Sequence, residues 1–162
     1  MLVAIWLAVL VILTIIHVYR HPGSCSLKGI VEAFLLYVTV VNIGFYSLWN
    51  FLANIFYSEE VAKFMGWGSG SPFQYEVGIA YLAFAVLGIL CIWERGDFWL
   101  ATIIGFSVFL FGIGIGHIEE YVRHHNKASG NAGLVLYVDL IMPIVLLILM
   151  MVHRRLQNGS KN

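Results

Sequence analysis

The sequence AGLVLYVDLIMPIVLLILMMV, residues 132–152, is almost wholly apolar, and Asp139 is its single charged residue. An α-helix needs about 20 predominantly apolar residues to cross the hydrocarbon core of a bilayer, and this run has that length. The run is followed by His153, Arg154 and Arg155, which are typical of the end of a membrane span. We therefore predict a transmembrane helix over residues 132–152.

The composition of the whole chain points the same way. Of its 162 residues, 60% are hydrophobic and 11% are charged, and the mean hydropathy is +0.87. A soluble domain of this size cannot bury so much apolar surface. The formal net charge of zero argues against a nucleic-acid partner. We predict an all-α, polytopic transmembrane bundle in the cell membrane, with the lipid bilayer as its main partner.

The apolar runs divide the chain into five predicted spans, separated by short polar turns. They cover residues 2–18, 29–57, 72–93, 98–122 and 132–152, within one transmembrane domain of residues 1–156, with a flexible tail at 157–162. The apolar N-terminus has no basic region before it. We therefore expect a retained first span rather than a cleaved signal peptide.

The basic residues predict the orientation of the five spans. One side of the membrane would receive Arg20, Lys28, Arg95, Arg154, Arg155 and Lys161, and the other would receive Lys63, Arg123 and Lys127. Cytoplasmic loops carry the excess of Lys and Arg. We therefore expect the N-terminus outside the cell and the C-terminus in the cytoplasm.

Four ionisable side chains are predicted near the outer end of the bundle: Glu76, His117, Glu120 and Asp139. His117 and Asp139 lie at equal sequence distances from the turn around Ala128, so an antiparallel helical hairpin places them at the same depth. Carboxylates with one imidazole suit a divalent metal such as iron, manganese or zinc, so the four are candidate metal ligands. We expect a second set of side chains to support them or to contact a ligand: Tyr46, Asn50, Gln74 and Asn131.

Other interpretations of the same residues stay open. His117 and Asp139 are also candidate protonatable groups of a proton or small-solute transporter. A polar row in the second span would then form the route: Glu32, Thr39, Tyr46, Asn50 and Asn54 share one helical face. Pro143 leaves the Asp139 carbonyl without its helical donor, which makes a cation or proton site plausible there. Alternatively, the polar residues hold helices together in an accessory subunit of a larger membrane complex.

Two further features concern other parts of the bundle. His17 and Glu32 flank the first turn at matching depth, so we expect a polar pair at the inner end. Gly112 and Gly116 form a Gly-x-x-x-Gly motif, which allows close helix packing, within the chain or between two copies in a homo-oligomer.

Several short motifs resemble a family of small prokaryotic multi-span membrane proteins of unknown function. They lie within residues 30–150 and include Ser71-Pro72-Phe73-Gln74-Tyr75-Glu76-Val77-Gly78, Gly116-His117, Gly130-Asn131-Ala132-Gly133 and Asp139 with Pro143. The resemblance implies a multi-span architecture and supplies no activity. Its motif residues overlap the outer polar cluster, which favours a functional site there.

Overall fold

The computed structural model describes residues 2–21, 23 and 25–159, with side chains described from Ala8 onward in the first helix. The described residues form helices joined by short turns, without a β-strand among them. The predicted all-α fold class is confirmed. The last helix continues through Gln157 to Gly159, and the remainder of the predicted tail lies outside the described residues.

Eight α-helices and one π-helical segment follow each other along the described chain. They are α1 (Leu2–Arg20), α2 (Leu27–Val38), the π segment (Thr39–Phe45), α3 (Tyr46–Phe56), α4 (Ser58–Met65), α5 (Pro72–Leu90), α6 (Asp97–His124), α7 (Ser129–Ala132) and α8 (Leu134–Gly159). The segments α2, π and α3 form one continuous helix, Leu27–Phe56.

Four helical stretches among the described residues are long and apolar enough to cross a membrane. They are Leu27–Phe56, Pro72–Leu90, Asp97–His124 and Ser129–Gly159. A fifth, Ala8–Arg20, is apolar but shorter. These helices carry many exposed apolar side chains, among them Ile15, Val108 and Ile141, which indicates a membrane protein. The predicted number of five spans and their orientation stay predictions.

The two ends of the bundle differ in how tightly they are packed. We call the end with the α5–α6 turn the turn end, and the opposite end, which carries α4 and α7, the α4 end. At the turn end the core is filled by large, fully buried side chains: Leu35, Ile43, Trp99, Ile103, Phe106, Leu110, Leu146 and Met150. Trp99 also donates its indole N–H to the Cys91 carbonyl at 2.9 Å, which ties the α5–α6 turn to α6.

Two pairs of helices dominate the packing, α3 with α5 and α6 with α8. The π segment packs against α5, where two glycines let the backbones touch: a Cβ added to Gly88 would lie 2.2 Å from the Gly44 nitrogen. By contrast, α5 and α6 touch over only a short stretch. The two pairs are therefore joined by the core at the turn end, whereas at the α4 end the contact between them is made by α4 and α7.

Candidate functional site

A cavity of about 1780 Å³ lies between the two helix pairs in the half of the bundle towards the α4 end. Its walls are mostly apolar, with polar side chains at a few points: Asn42, Tyr46, Asn50, Asn54, Gln74, Tyr81, His117, Glu119, Glu120, His124 and Asp139. Trp49, Phe73 and Val108 line the cavity and are also 69%, 62% and 67% exposed. The cavity is therefore open sideways, between apolar helix faces.

His117 on α6 and Asp139 on α8 meet in the cavity wall. The Nε2 atom of His117 lies 3.5 Å from Oδ2 of Asp139, and the two side chains are only 3% and 1% exposed. Neither carboxylate oxygen of Asp139 has a hydrogen-bond partner among the described residues, and neither has Nε2 of His117. Buried polar atoms without partners are costly. This pair therefore offers unused hydrogen-bonding capacity to the cavity.

Asn131 fixes the protonation pattern of the His117 ring. Its Nδ2 donates to the backbone carbonyls of His117 and Asn126, at 3.2 and 3.0 Å. These two bonds orient the amide so that Oδ1 faces Nδ1 of His117 at 2.8 Å. An amide oxygen only accepts, so Nδ1 carries a hydrogen. In the neutral ring, Nε2 is consequently an acceptor and does not donate to the Asp139 carboxylate.

Small residues bring the elements that carry these side chains together. A Cβ on Gly114 would lie 2.8 Å from Leu140 Cδ2, so the missing side chain allows α6 to approach α8 beside Asp139. A Cβ on Gly130 would lie 2.6 Å from Phe64, so α7, which carries Asn131, packs directly on α4. The His117–Asp139 contact is the one that equal spacing about the turn predicts.

The other two predicted metal ligands lie apart from this pair. Glu76 is exposed on α5, because it follows the buried Gln74 by two residues, about 200° around the helix. Glu120 is partly exposed and lies 3.9 Å from His124 on its own helix. Among residues 2–21, 23 and 25–159, no group of three or more His, Cys, Asp or Glu side chains is arranged to hold a metal ion.

Three of the four predicted supporting residues, Tyr46, Asn50 and Gln74, line the cavity, whereas Asn131 is fully buried behind His117. The amides of Asn50 and Gln74 each donate to a backbone carbonyl. Asn50 donates to Tyr46 O at 2.8 Å. Gln74, only 4% exposed, donates to Ser58 O at 2.7 Å and so links α5 to the start of α4. Tyr46 packs edge-on against Tyr81, with ring centroids 6.4 Å apart. These bonds leave the amide oxygens of both side chains available to a molecule in the cavity.

The polar row predicted along the second span reaches the cavity only in its half towards the α4 end. Tyr46, Asn50 and Asn54 line the cavity. Thr39 is fully buried in the core, and Glu32 forms an ion pair with Arg95. The π segment changes the helical phase between the two halves, so one straight face at α-helical spacing does not describe them.

Three aromatic residues of the cavity were not predicted to belong to the site: Trp67, Tyr81 and Phe109. Trp67 stacks on His117, with centroids 6.5 Å apart and planes inclined by 20°. Tyr81 packs edge-on against Phe109 at 5.0 Å. Trp67 follows Gly66, whose φ of 73° and tight contact with Asn126 require glycine. The Gly66-Trp67 dipeptide, a glycine that ends α4 followed by an aromatic residue, is the sequence signal that could have identified this position.

The two residues of the predicted inner polar pair, His17 and Glu32, each have another polar neighbour. The Glu32 carboxylate lies 2.8 Å from Arg95, while His17 Nδ1 lies 3.2 Å from the Tyr37 hydroxyl. Gly112 and Gly116 line the cavity, and a Cβ added at either position would have no heavy atom within 4 Å. Within the chain, these glycines widen the cavity rather than bring two helices together.

Comparison with known proteins gives the chain a family. It belongs to the Family of unknown function (DUF6790), whose model matches residues 1–159. This agrees with the resemblance to an uncharacterised family. No curated protein and no solved structure matches the chain.

Proposed function

We propose that this protein is a multi-pass cell-membrane protein that binds a small lipid-soluble molecule in the cavity beside His117 and Asp139. The observation that carries the proposal is the buried carboxylate of Asp139 in a mostly apolar cavity wall. It faces the His117 imidazole at 3.5 Å, and neither of its oxygens has a hydrogen bond among the described residues. Small-molecule sites combine apolar walls with a few convergent polar groups. A bound molecule would supply the hydrogen-bond partner that Asp139 lacks.

A lateral path to the cavity supports a lipid-soluble ligand. Trp49, Phe73 and Val108 belong both to the cavity wall and to the exposed apolar surface. In a bilayer this surface faces lipid tails. A molecule dissolved in the membrane would therefore enter between the helix pairs without passing through water.

The geometry favours binding over conduction. The cavity lies in one half of the bundle, and the turn end is filled by large apolar side chains such as Trp99, Phe106 and Leu146. Ions and polar solutes need a hydrated or hydrogen-bonding path. A metal centre is also less favoured, because His117 and Asp139 together supply two ligands where three or four are usual.

Extraction of the purified protein tests the proposal. We expect a lipid-soluble compound, identified by mass spectrometry after organic extraction, at close to one molecule per chain. Gly112→Leu fills part of the cavity from a position with open space around it and should lower the yield, since the larger side chain takes space from a bound molecule. Ile115→Phe enlarges a side chain of the same helix that is 61% exposed, and should leave the yield unchanged.

Equal extracts from the wild-type protein and the variant would contradict the proposal. If the extract of the wild-type protein and that of Gly112→Leu contain the same compounds in the same amounts, those compounds come from the surface layer of lipid. The cavity would then have no ligand, and Asp139 would be a purely structural residue.

The membrane topology that we propose has five spans, with the N-terminus outside and the C-terminus in the cytoplasm. Arg20, Arg95 and Arg154 then face the cytoplasm, as the distribution of basic residues favours. Cys25 is exposed and follows α1. A maleimide that does not cross membranes should therefore leave Cys25 unlabelled in intact cells and label it in opened cells. Labelling in intact cells would reverse the orientation.

A further inference from the structure

We infer that the ligand of the cavity is a lipophilic organic cation, such as a protonated amine on an apolar body. This inference rests on the proposed function and names the chemical class of the ligand. It depends on the charge of the cavity lining, on its aromatic walls and on the position of Asp139.

The charged residues of the cavity lining are mostly acidic. Among the described residues that line it, the acids are Glu119, Glu120 and Asp139, the imidazoles are His117 and His124, and Lys and Arg are absent. Glu119 forms an ion pair with Arg123 at 2.9 Å. Glu120 is partly exposed and lies 3.9 Å from His124. The deepest acidic group, Asp139, has only the imidazole of His117 at 3.5 Å. The acidic side chains of the lining would repel an anionic ligand and attract a cation.

The aromatic lining also favours a cation. Rings from three helices and one turn surround the same space: Tyr46 and Trp49 on α3, Trp67 in the turn after α4, Tyr81 on α5 and Phe109 on α6. Aromatic faces attract ammonium groups, and this attraction grows when water is excluded. Tyr46 and Tyr81 lie within electrostatic reach of Asp139. An ammonium group held by the carboxylate would therefore lie among aromatic rings.

The hydrogen bonds around His117 direct the ligand to Asp139. The Nδ1–H of His117 is held by Asn131, so the ring offers the cavity only its Nε2 edge. An N–H of a protonated amine donates to a carboxylate oxygen, and charge-assisted bonds of this kind are about twice as strong as neutral ones. Both oxygens of Asp139 lack such a donor.

Three probes with the same dodecyl chain test the inference: N,N-dimethyldodecylamine, dodecanol and dodecanoate. Binding to the full chain in phosphatidylcholine nanodiscs would be measured by equilibrium dialysis, with empty nanodiscs subtracted to remove partition into lipid. We expect the amine to bind about tenfold or more tightly than either other probe. Asp139→Asn should weaken amine binding about tenfold and leave dodecanol binding unchanged. The unchanged dodecanol binding also shows that the variant is folded.

Glu119→Gln is the matched control. It removes a carboxylate from the same lining, but one that Arg123 already neutralises, so amine affinity should change less than about twofold. If dodecanoate binds as tightly as the amine, or if Asp139→Asn leaves amine binding intact, the cation inference is overturned while binding in the cavity stands. If no probe binds above empty nanodiscs, the proposed function is overturned as well.

Discussion

Two exchanges between Asp and Asn in the same site should have opposite effects on stability. Asn131→Asp replaces the Nδ2 donor by an oxygen that faces two backbone carbonyls, at 3.2 and 3.0 Å. Asp139→Asn replaces an unpartnered carboxylate oxygen by an amide, which can donate to Nε2 of His117. Both exchanges keep the size of the side chain, so packing contributes little to the difference.

The hydrogen bonds set the magnitude of each effect. Each orphaned buried group costs about 1–3 kcal/mol, so the two carbonyls in Asn131→Asp cost roughly 2–6 kcal/mol. A new hydrogen bond in Asp139→Asn contributes about 0.5–1.5 kcal/mol. For a chain of this size, 1 kcal/mol shifts the melting temperature by about 2–4 °C. Asn131→Asp should therefore melt roughly 4–24 °C lower than the wild type, and Asp139→Asn unchanged or up to about 6 °C higher.

The assay is thermal unfolding of the detergent-purified protein, followed by the loss of the monodisperse peak in size-exclusion chromatography. The two variants and the wild type are compared in the same detergent without added ligand. If Asp139→Asn melts as far below the wild type as Asn131→Asp does, Asp139 holds the helices together. The argument that its unused oxygens serve a ligand would then be refuted.

The remaining predictions concern packing at the turn end and at the helix crossing. Gly88→Ala forces a Cβ to 2.2 Å from the Gly44 nitrogen and should lower the free energy of unfolding by about 3 kcal/mol. Gly105→Ala is the control, because its Cβ would lie 3.6 Å from the nearest atom. It should raise the free energy of unfolding by about 0.5–1 kcal/mol through helix propensity. Equal melting temperatures of these two variants would contradict the backbone contact. Burial raises the pKa of the Cys91 thiol to about 11, so roughly one thiol in three thousand is ionised at pH 7.5. A maleimide should label Cys25 alone in the folded protein and both cysteines in the detergent-unfolded one, and rapid labelling of Cys91 in the folded protein would show that the turn end is open.

The helices were predictable because each is a continuous apolar run bounded by polar turns. The apolar residues of α6 and α8 predict these helices without reference to the rest of the chain. The π segment was not predictable in this way. It lies against α5 where Gly44 meets Gly88, a contact between residues far apart in sequence, and no local pattern marks its i→i+5 bonds.

The candidate site was predictable in depth but not in direction. Equal spacing about one turn placed His117 opposite Asp139, because an antiparallel pair fixes depth through the rise per residue. Rotation about the helix axis decides whether a side chain faces the cavity, and it depends on packing with other helices. For that reason Glu76 and Glu120, which lie at suitable depth, do not join the pair. The contacts of Asn131 depend on the short helix α7, so they could not be predicted from the sequence pattern of the spans.

The π segment sets the rotation of α3 relative to α2, and with it one wall of the cavity. The seven residues Thr39–Phe45 occupy about the turn that six residues occupy in an α-helix. If all seven relaxed to ordinary α-helical bonds, everything that follows would turn by about 100° relative to α2. Tyr46, Asn50 and Asn54 would then leave the cavity wall together, although each is unchanged. Removing one residue from the segment would compensate for that turn and keep the three side chains in the wall.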